Sequence, residues 1–379
     1  MIAYVLSADW GKAAGKRAVY VAEVGARSIG RCKPPTGGWT AKALLRVAEG
    51  LSRHGAVLVG VDVVLGLPDG YWHSARKDGG RLSATFVEWL AALRPSGGFF
   101  RESRTAEEWM PERPWFRVPP GQGGLSRYKA RVPGGMLRRI DRATAGKPVF
   151  AVSGFPGSVG SGTRTFWQEL GPLLARERDF TVWPFEGAAA SPGADGGVVL
   201  CETYPRLAYA GALADELPAS ALAWPKSKAA ARAEGCERLV RAGWIDGHGV
   251  RLDHLECARA NEDDFDALFT AAAVLRCVVE RRALVSSEWV DEVAEGGMLL
   301  AGPVRPGAGR RPRRVQSKAA SATMHVCPIS GCSKVFRGSR AGWDKHIERP
   351  AAHPDWRADV ADPAERRRLF REDFADWLA

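Results

Sequence analysis

Several acidic residues in this 379-residue chain interrupt stretches that otherwise read as buried. Asp9 ends the apolar run IAYVLSAD, Asp62 sits inside VGVDVVLG, and Glu202 lies in VVLCETYP. Asp263 and Asp266 open the helical stretch NEDDFDALFTAAA. A carboxylate in an apolar element is costly unless it is paired, hydrogen-bonded or bound to a cation. Asp263 and Asp266 are three apart and share one helix face. Converging at one end of a sheet, such acids could hold two Mg²⁺ or Mn²⁺ ions about 3.5–4 Å apart, one activating water and the other stabilising a leaving oxygen. That is the chemistry of phosphodiester hydrolysis. Each acid also has a plain structural use: Asp9 can bond the following turn and Glu202 can pair with Arg206. Asp263 and Asp264 suit a helix N-terminus whatever the function. The set, more than any member, points to metal chemistry.

A second constellation lies near the C-terminus. Cys327 and Cys332 have C-x4-C spacing, His346 follows after thirteen residues and His353 after six more. The pattern resembles a Cys2His2 zinc finger, with Phe336 and Trp343 where such a finger places its small core. It departs by one extra residue before His346 and by a longer histidine gap that contains Pro350. The expected ligands of Zn²⁺ are Cys327, Cys332, His346 and His353, with His325 as a spare. So short a segment has too little core to fold alone, so the metal would supply its stabilisation. Lys334, Arg337 and Arg340 could touch phosphates. Protein binding is the alternative use, because one finger rarely specifies DNA.

The Gly-rich run from Gly157 through Gly160 and Gly162 to Thr163 follows a strand and opens a helix, so its amides could cradle a phosphate. A Walker A loop needs Lys and then Ser or Thr after its last glycine. Thr163 and Arg164 stand there instead, and a turn with a helix cap accounts for the run equally well.

The elements that must position these residues are legible in part. Residues 2–9 and 17–24 read as strands, with a third near Arg27–Gly30. Thr40 caps a helix whose apolar face is Leu44, Leu45, Val47, Ala48 and Leu51, ended by Gly55. AVLVGVDVVLGLP reads as one buried strand, and PVFAVSG, DFTVWPF and GVVLCETYP as later ones. Helices are expected over 226–243 and 261–284, and Asp362 with Pro363 caps a last one carrying Phe370, Phe374 and Trp377. Residues 66–145 carry many aromatics and little period.

Composition bounds the rest. Hydrophobic residues at 45% and charged residues at 26% belong to a globular protein, and no run approaches the roughly 18 apolar residues of a membrane span. The N-terminus reads as a strand and not a signal peptide. Five of the seven cysteines are scattered singly, which argues for a reducing, cytoplasmic setting. The net charge of +11 favours a polyanionic partner, DNA or RNA. Candidate phosphate contacts are Arg127, Lys129 and Arg131, with Arg310, Arg311, Arg313 and Arg314 of a basic, period-free stretch. The division is therefore a large domain over 1–300, a linker over 301–323 and a zinc module with a terminal helix over 324–379.

The large domain resembles a family of predicted RNase H-like nucleases. The matching pieces are SADWGK, VGVDVVLGLP, GSVGSGTRTFWQEL followed by VWPF, CETYP and DDFDALFTAAA, in order over roughly residues 1–285. The resemblance implies an α/β fold with a mixed sheet flanked by helices. It implies Asp9 and Asp62 on neighbouring strands and Asp266, with Asp263 or Asp264, on the closing helix. Glu202 falls in the family's Glu-x-x-Pro-like motif. The long insert after Asp62 departs from the pattern. Two other classes use the same residues differently. A non-catalytic nucleic-acid-binding or adaptor protein would keep the acids for structure alone. Actin-like ATPases and sugar kinases also begin with a strand Asp beside a Gly turn, here Asp9-Trp10-Gly11-Lys12. They need a second phosphate hairpin and a late adenosine-binding Gly pair, which the sequence does not offer.

Overall fold

The computed structural model describes residues 1–75, 83–117, 128, 130–132, 135–153, 159–187, 192–193, 196–215 and 221–301, and then 324–329, 332, 335–337, 346–348, 353, 356–357 and 359–375. The chain divides into two compact units, 1–311 and 312–379. Of the expected linker over 301–323, all but Ala301 lies outside the described residues, the four candidate arginines included.

The first unit is a mixed α/β structure. Its strands are β1 (Ile2–Trp10), β2 (Arg17–Glu23), β3 (Ser28–Arg31), β4 (Ala56–Val61), β5 (Phe116–Arg117), β6 (Ala151–Ser153), β7 (Phe180–Val182), β8 (Val198–Glu202) and β9 (Arg251–Leu252). Its helices are α1 (Ala41–Ser52), α2 (Asp69–Ala75), α3 (Phe86–Ala92), α4 (Arg139–Thr144), α5 (Gly160–Leu174), α6 (Pro205–Leu213), α7 (Ala229–Val240), α8 (Gly243–His248), α9 (Leu255–Ala260) and α10 (Glu262–Val279). Seven strands form one sheet in the order β7-β8-β4-β1-β2-β3-β9. β1, β2 and β3 are an antiparallel meander, whereas β4, β8 and β7 run parallel to β1. The short β9 adds in parallel beside β3.

Strand pleating sorts the core into two layers, because successive side chains point to opposite faces. Leu6, Ala8 and Trp10 of β1 join Val57, Val59 and Val61 of β4 and Val198 and Leu200 of β8 in one cluster, with α1, α3 and α5 packed over it. Val5, Leu58, Val199 and Cys201 join the other, covered by α10 and α6. α10 lies across β1 and β2 and is buried without a break from Asp264 to Cys277. That explains why its apolar residues run around the helix and not along one stripe. Asn261 starts it, accepting from the amides of Asp263 and Asp264 at 2.7 and 3.4 Å.

Several expected boundaries shift. The strand around Asp62 stops at Val61, because the chain turns away after Asp62 donates its amide to the Ala8 carbonyl at 2.9 Å. The expected 226–243 helix is shorter, α7, and the 261–284 helix ends at Val279. PVFAVSG leaves the main sheet: β6 pairs only with β5, in a two-stranded sheet of its own. Thr40 caps α1 as expected, accepting from the Ala43 amide at 3.1 Å, but Val47 faces solvent rather than the core. The aromatic stretch that showed no period supplies core: Trp72, Trp89 and Trp115 are buried, and Trp89 and Trp115 contact Trp167 of α5 edge-on. No helix among the described residues is long and apolar enough to cross a membrane.

The second unit carries a short hairpin, β10 (Met324–Val326) against β11 (Val335–Arg337), and α11 (Pro363–Asp373). Asp362 caps α11 by accepting from the Ala364 amide at 3.0 Å. Its core is small: Cys327, Ile329, Ile347 and Phe370, with Trp356 and Phe374 alongside. Arg366 is fully buried there and donates to the carbonyls of Ile347, Arg357, Val360 and Trp356. Phe370 and Phe374 thus line α11 as expected, while Trp377, Trp343 and the Phe336 side chain lie outside the described residues.

Candidate functional site

Three of the expected acids meet. Asp9 sits on β1, Asp62 follows β4 directly, and Asp266 is in the second turn of α10; their ligand oxygens lie within 4.8 Å of one another. Register explains the meeting. Ala8 pairs with Val61, so Asp9 and Asp62 are the next neighbours across two parallel strands. Both fall on the face that holds Val5 and Leu58, the face α10 covers. Asp263, one helical turn before Asp266, hydrogen-bonds with Asp9. Asp264 turns away: its buried carboxylate accepts from Arg31 Nε at 2.5 Å.

Glu202 does not join them. Val61 pairs with Glu202, and Glu202 shares the face of Val198 and Leu200, opposite to the trio. There it accepts from Arg138 at 2.5 and 2.7 Å and from the Leu65 amide at 2.7 Å. Arg138 also reaches Asp141 at 2.8 Å and the Glu295 carbonyl at 3.0 Å, and all three charged side chains are essentially inaccessible. The expected alternative partner, Arg206, is not the one used. Thr203, one residue on, lies on the trio's side. Its methyl leans over Gly60, where a Cβ would come within 2.5 Å of it.

Burial disfavours the charged forms of Asp9 and Asp62. Asp9 is held well above the ordinary carboxylate range, first by burial and then by the charge of Asp62, with Lys226 opposing. Burial raises Asp62 to about 6, again against the pull of Lys226 and of a hydrogen bond from Asp9. Asp266 is nearly inaccessible; one oxygen accepts from the Tyr209 hydroxyl and the other pairs with the Lys226 ammonium. Crowded, desolvated carboxylates are stabilised by a cation far more than isolated surface acids are. The donor set therefore fits a hard divalent ion, which takes oxygen ligands.

Asp62 opens onto a cleft of about 690 Å³ whose walls include Trp10, Lys12, Thr203, Arg206 and Lys226. Lys12, just after β1, and Arg206, in the first turn of α6, have no ion-pair partner among the described residues and line the same cleft as Asp62. The Gly-rich segment forms another wall, and packing explains its described glycines. A Cβ on Gly162 would come within 2.2 Å of the Trp10 carbonyl, and one on Gly160 within 2.4 Å of that of Ala151. Thr163 fixes the chain after Asp62 by accepting from the Val64 amide at 3.1 Å.

In the second unit the four expected ligands come together. Cys327, Cys332, His346 and His353 place their ligand atoms within 4.8 Å of one another. Cys327 Sγ is 3.6 Å from His353 Nε2, and Cys332 Sγ is 3.3 Å from His346 Nε2. Burial lowers His353 to about 4, keeping it in the neutral form that ligates. Burial raises the Cys327 thiol to about 11, a cost that a bound cation would offset.

Of the expected phosphate contacts, Arg131 is exposed and is not among the residues lining the cleft. Arg127, Lys129, Lys334 and Arg340, and the side chains of Arg337 and His325, lie outside the described residues. Lys226, Tyr209 and Arg138 carry no sequence signal: each stands in a segment without acid or metal spacing to mark it. No protein-family model, curated protein or solved structure matches the chain.

Proposed function

We propose that the first unit is an RNase H-like nuclease domain that hydrolyses phosphodiester bonds of DNA or RNA with Mg²⁺ or Mn²⁺. The observation that carries the reading is the convergence of Asp9, Asp62 and Asp266 from two neighbouring strands and the helix packed over them. That is the arrangement implied by the sequence resemblance, and the antiparallel meander continued by parallel strands supports it. Asp9, Asp62 and Asp266 would hold the metal, with Asp263 as a fourth carboxylate. When bound, the ion supplies Lewis-acid stabilisation of phosphoryl charge and nucleophilic water. Lys12 and Arg206 bind and orient the substrate phosphates at the rim, where unpaired cations suit a polyanion. Tyr209 fixes the Asp266 carboxylate.

The Cys2His2 group of the second unit takes Zn²⁺ in this reading, a closed four-ligand site of the structural kind. It targets nucleic acid or a protein partner. The test of the nuclease is cleavage of labelled single-stranded, duplex and hybrid substrates by the purified chain with Mg²⁺, Mn²⁺ or neither. Cutting that needs the metal and disappears in Asp62→Asn supports the proposal. A folded chain that cuts none of the substrates overturns it in favour of a binding protein.

A further inference from the structure

Lys226 forms the only ion pair with the Asp9, Asp62 and Asp266 group among the described residues. Both oxygens of Asp266 are thereby engaged, one by Tyr209 and one by Lys226. A divalent cation that takes Asp266 as a ligand must share or displace one of them. The two are not equally held. Tyr209 is 2% exposed on α6, and its ring packs against Phe265 and Phe269 of α10. Lys226 stands on an irregular segment before α7, and its side chain is 34% exposed at the cleft wall. Its backbone is fixed, however: the amide donates to the Trp224 carbonyl at 2.9 Å and its carbonyl accepts from Arg232 at 2.7 Å. Only the flexible stem and ammonium can move, and a lysine stem has four rotatable carbons with which to do so.

We propose that Lys226 is the built-in counter-cation of the aspartate trio, which an incoming divalent ion displaces into the cleft. The proposal rests on the metal-site reading above. Its ammonium acts favourably on Asp9, Asp62 and Asp263 as well as Asp266, so in the metal-free protein it compensates the whole group. Displaced, it joins Lys12 and Arg206 in facing the cleft, so that metal occupancy and affinity for phosphate rise together.

Mn²⁺ binding to the full, zinc-loaded chain tests this, with free Mn²⁺ counted by electron paramagnetic resonance and Asp266→Asn as the reference that loses the site. Removing a competitor that occupies most of the metal-free population tightens apparent affinity by the inverse of the fraction it leaves free. Lys226→Met is therefore expected to bind Mn²⁺ on the order of tenfold more tightly than the wild type. Its melting temperature should fall without Mn²⁺ and rejoin the wild type at saturation. Lys226→Gln, neutral but polar, should tighten binding likewise, because the charge is the competitor. Unchanged or weaker Mn²⁺ affinity in both variants, beside a wild type that binds, overturns the Lys226 role alone. No Mn²⁺ binding by wild type or variants overturns the metal-site reading together with it.

Discussion

The two ligand clusters of this chain are built on opposite principles. The aspartates come from residues 9, 62 and 266 and are brought together by strand register and a long packed helix. They sit on a scaffold with two large apolar layers to which they do not belong. The two cysteines and two histidines of the other cluster fall between residues 327 and 353, and Cys327 itself packs with Ile329, Ile347 and Phe370 among the described residues. One cluster is a burden on a stable fold; the other substitutes for a core. Ligand count follows the same division: an open carboxylate set leaves room for water and substrate, whereas two cysteines and two histidines close a tetrahedron. Function is thus expected from the costly site and stability from the complete one.

Metal removal breaks this comparison most sharply. Chelation of zinc, or Cys332→Ser, should unfold the second unit outright, since structural zinc supplies about 10–16 kcal/mol in such modules. Heteronuclear spectra should then lose the dispersed signals of α11 while those of the sheet persist. Next in size is catalysis. Asp9→Asn should lower cleavage by on the order of 10³-fold without lowering the melting temperature, because it removes a buried, repelled charge. A variant that unfolds would instead make Asp9 a structural residue.

Arg138→Leu should act in the reverse sense. It strands Glu202 and Asp141 without their partner in the interior, a loss of about 3–5 kcal/mol on denaturant unfolding. Glu202→Gln should then leave catalysis nearer to wild type than Asp9→Asn does, measured on folded protein, which separates the two faces of the sheet.

The smallest effect is the pH dependence. Asp62 is raised to about 6 and Asp9 well above the ordinary carboxylate range, so the metal-free fold binds more protons than the unfolded chain from about pH 4 through at least pH 6. The contribution of these groups to stability is therefore present at low pH and lost as pH rises through that window. Metal binding runs the other way, because it needs the carboxylates ionised. Mn²⁺ affinity should rise with pH from about 4 through about 6, as titration calorimetry at several pH values would read. A flat profile would mean that the trio is already ionised.

Much of the aspartate site was legible because each acid interrupts an apolar run, and that signal survives in Asp9, Asp62 and Asp266. Glu202 carries the same local signal but belongs to another network. Its face is decided by pairing of Val61 with Glu202, a non-local register that one strand cannot report. Between Asp263 and Asp264 the sequence leaves a choice open; Asp264 pairs with Arg31, which is more than 200 residues away in sequence. The buried tryptophans of the insert show little period because the helices carrying Trp72 and Trp89, α2 and α3, are only seven residues long, and Arg138 stands just before the short α4. The Cys2His2 group needed only spacing, since its four residues lie close together along the chain.

Diffraction from crystals of the full chain soaked in Mn²⁺, with anomalous data collected at the zinc and manganese edges, tests the two-site reading most directly. It should place zinc among Cys327, Cys332, His346 and His353, and manganese among Asp9, Asp62 and Asp266 with Lys226 withdrawn from Asp266. Zinc density at the cysteines beside Lys226 still seated on Asp266, with no manganese at saturating concentration, would contradict it.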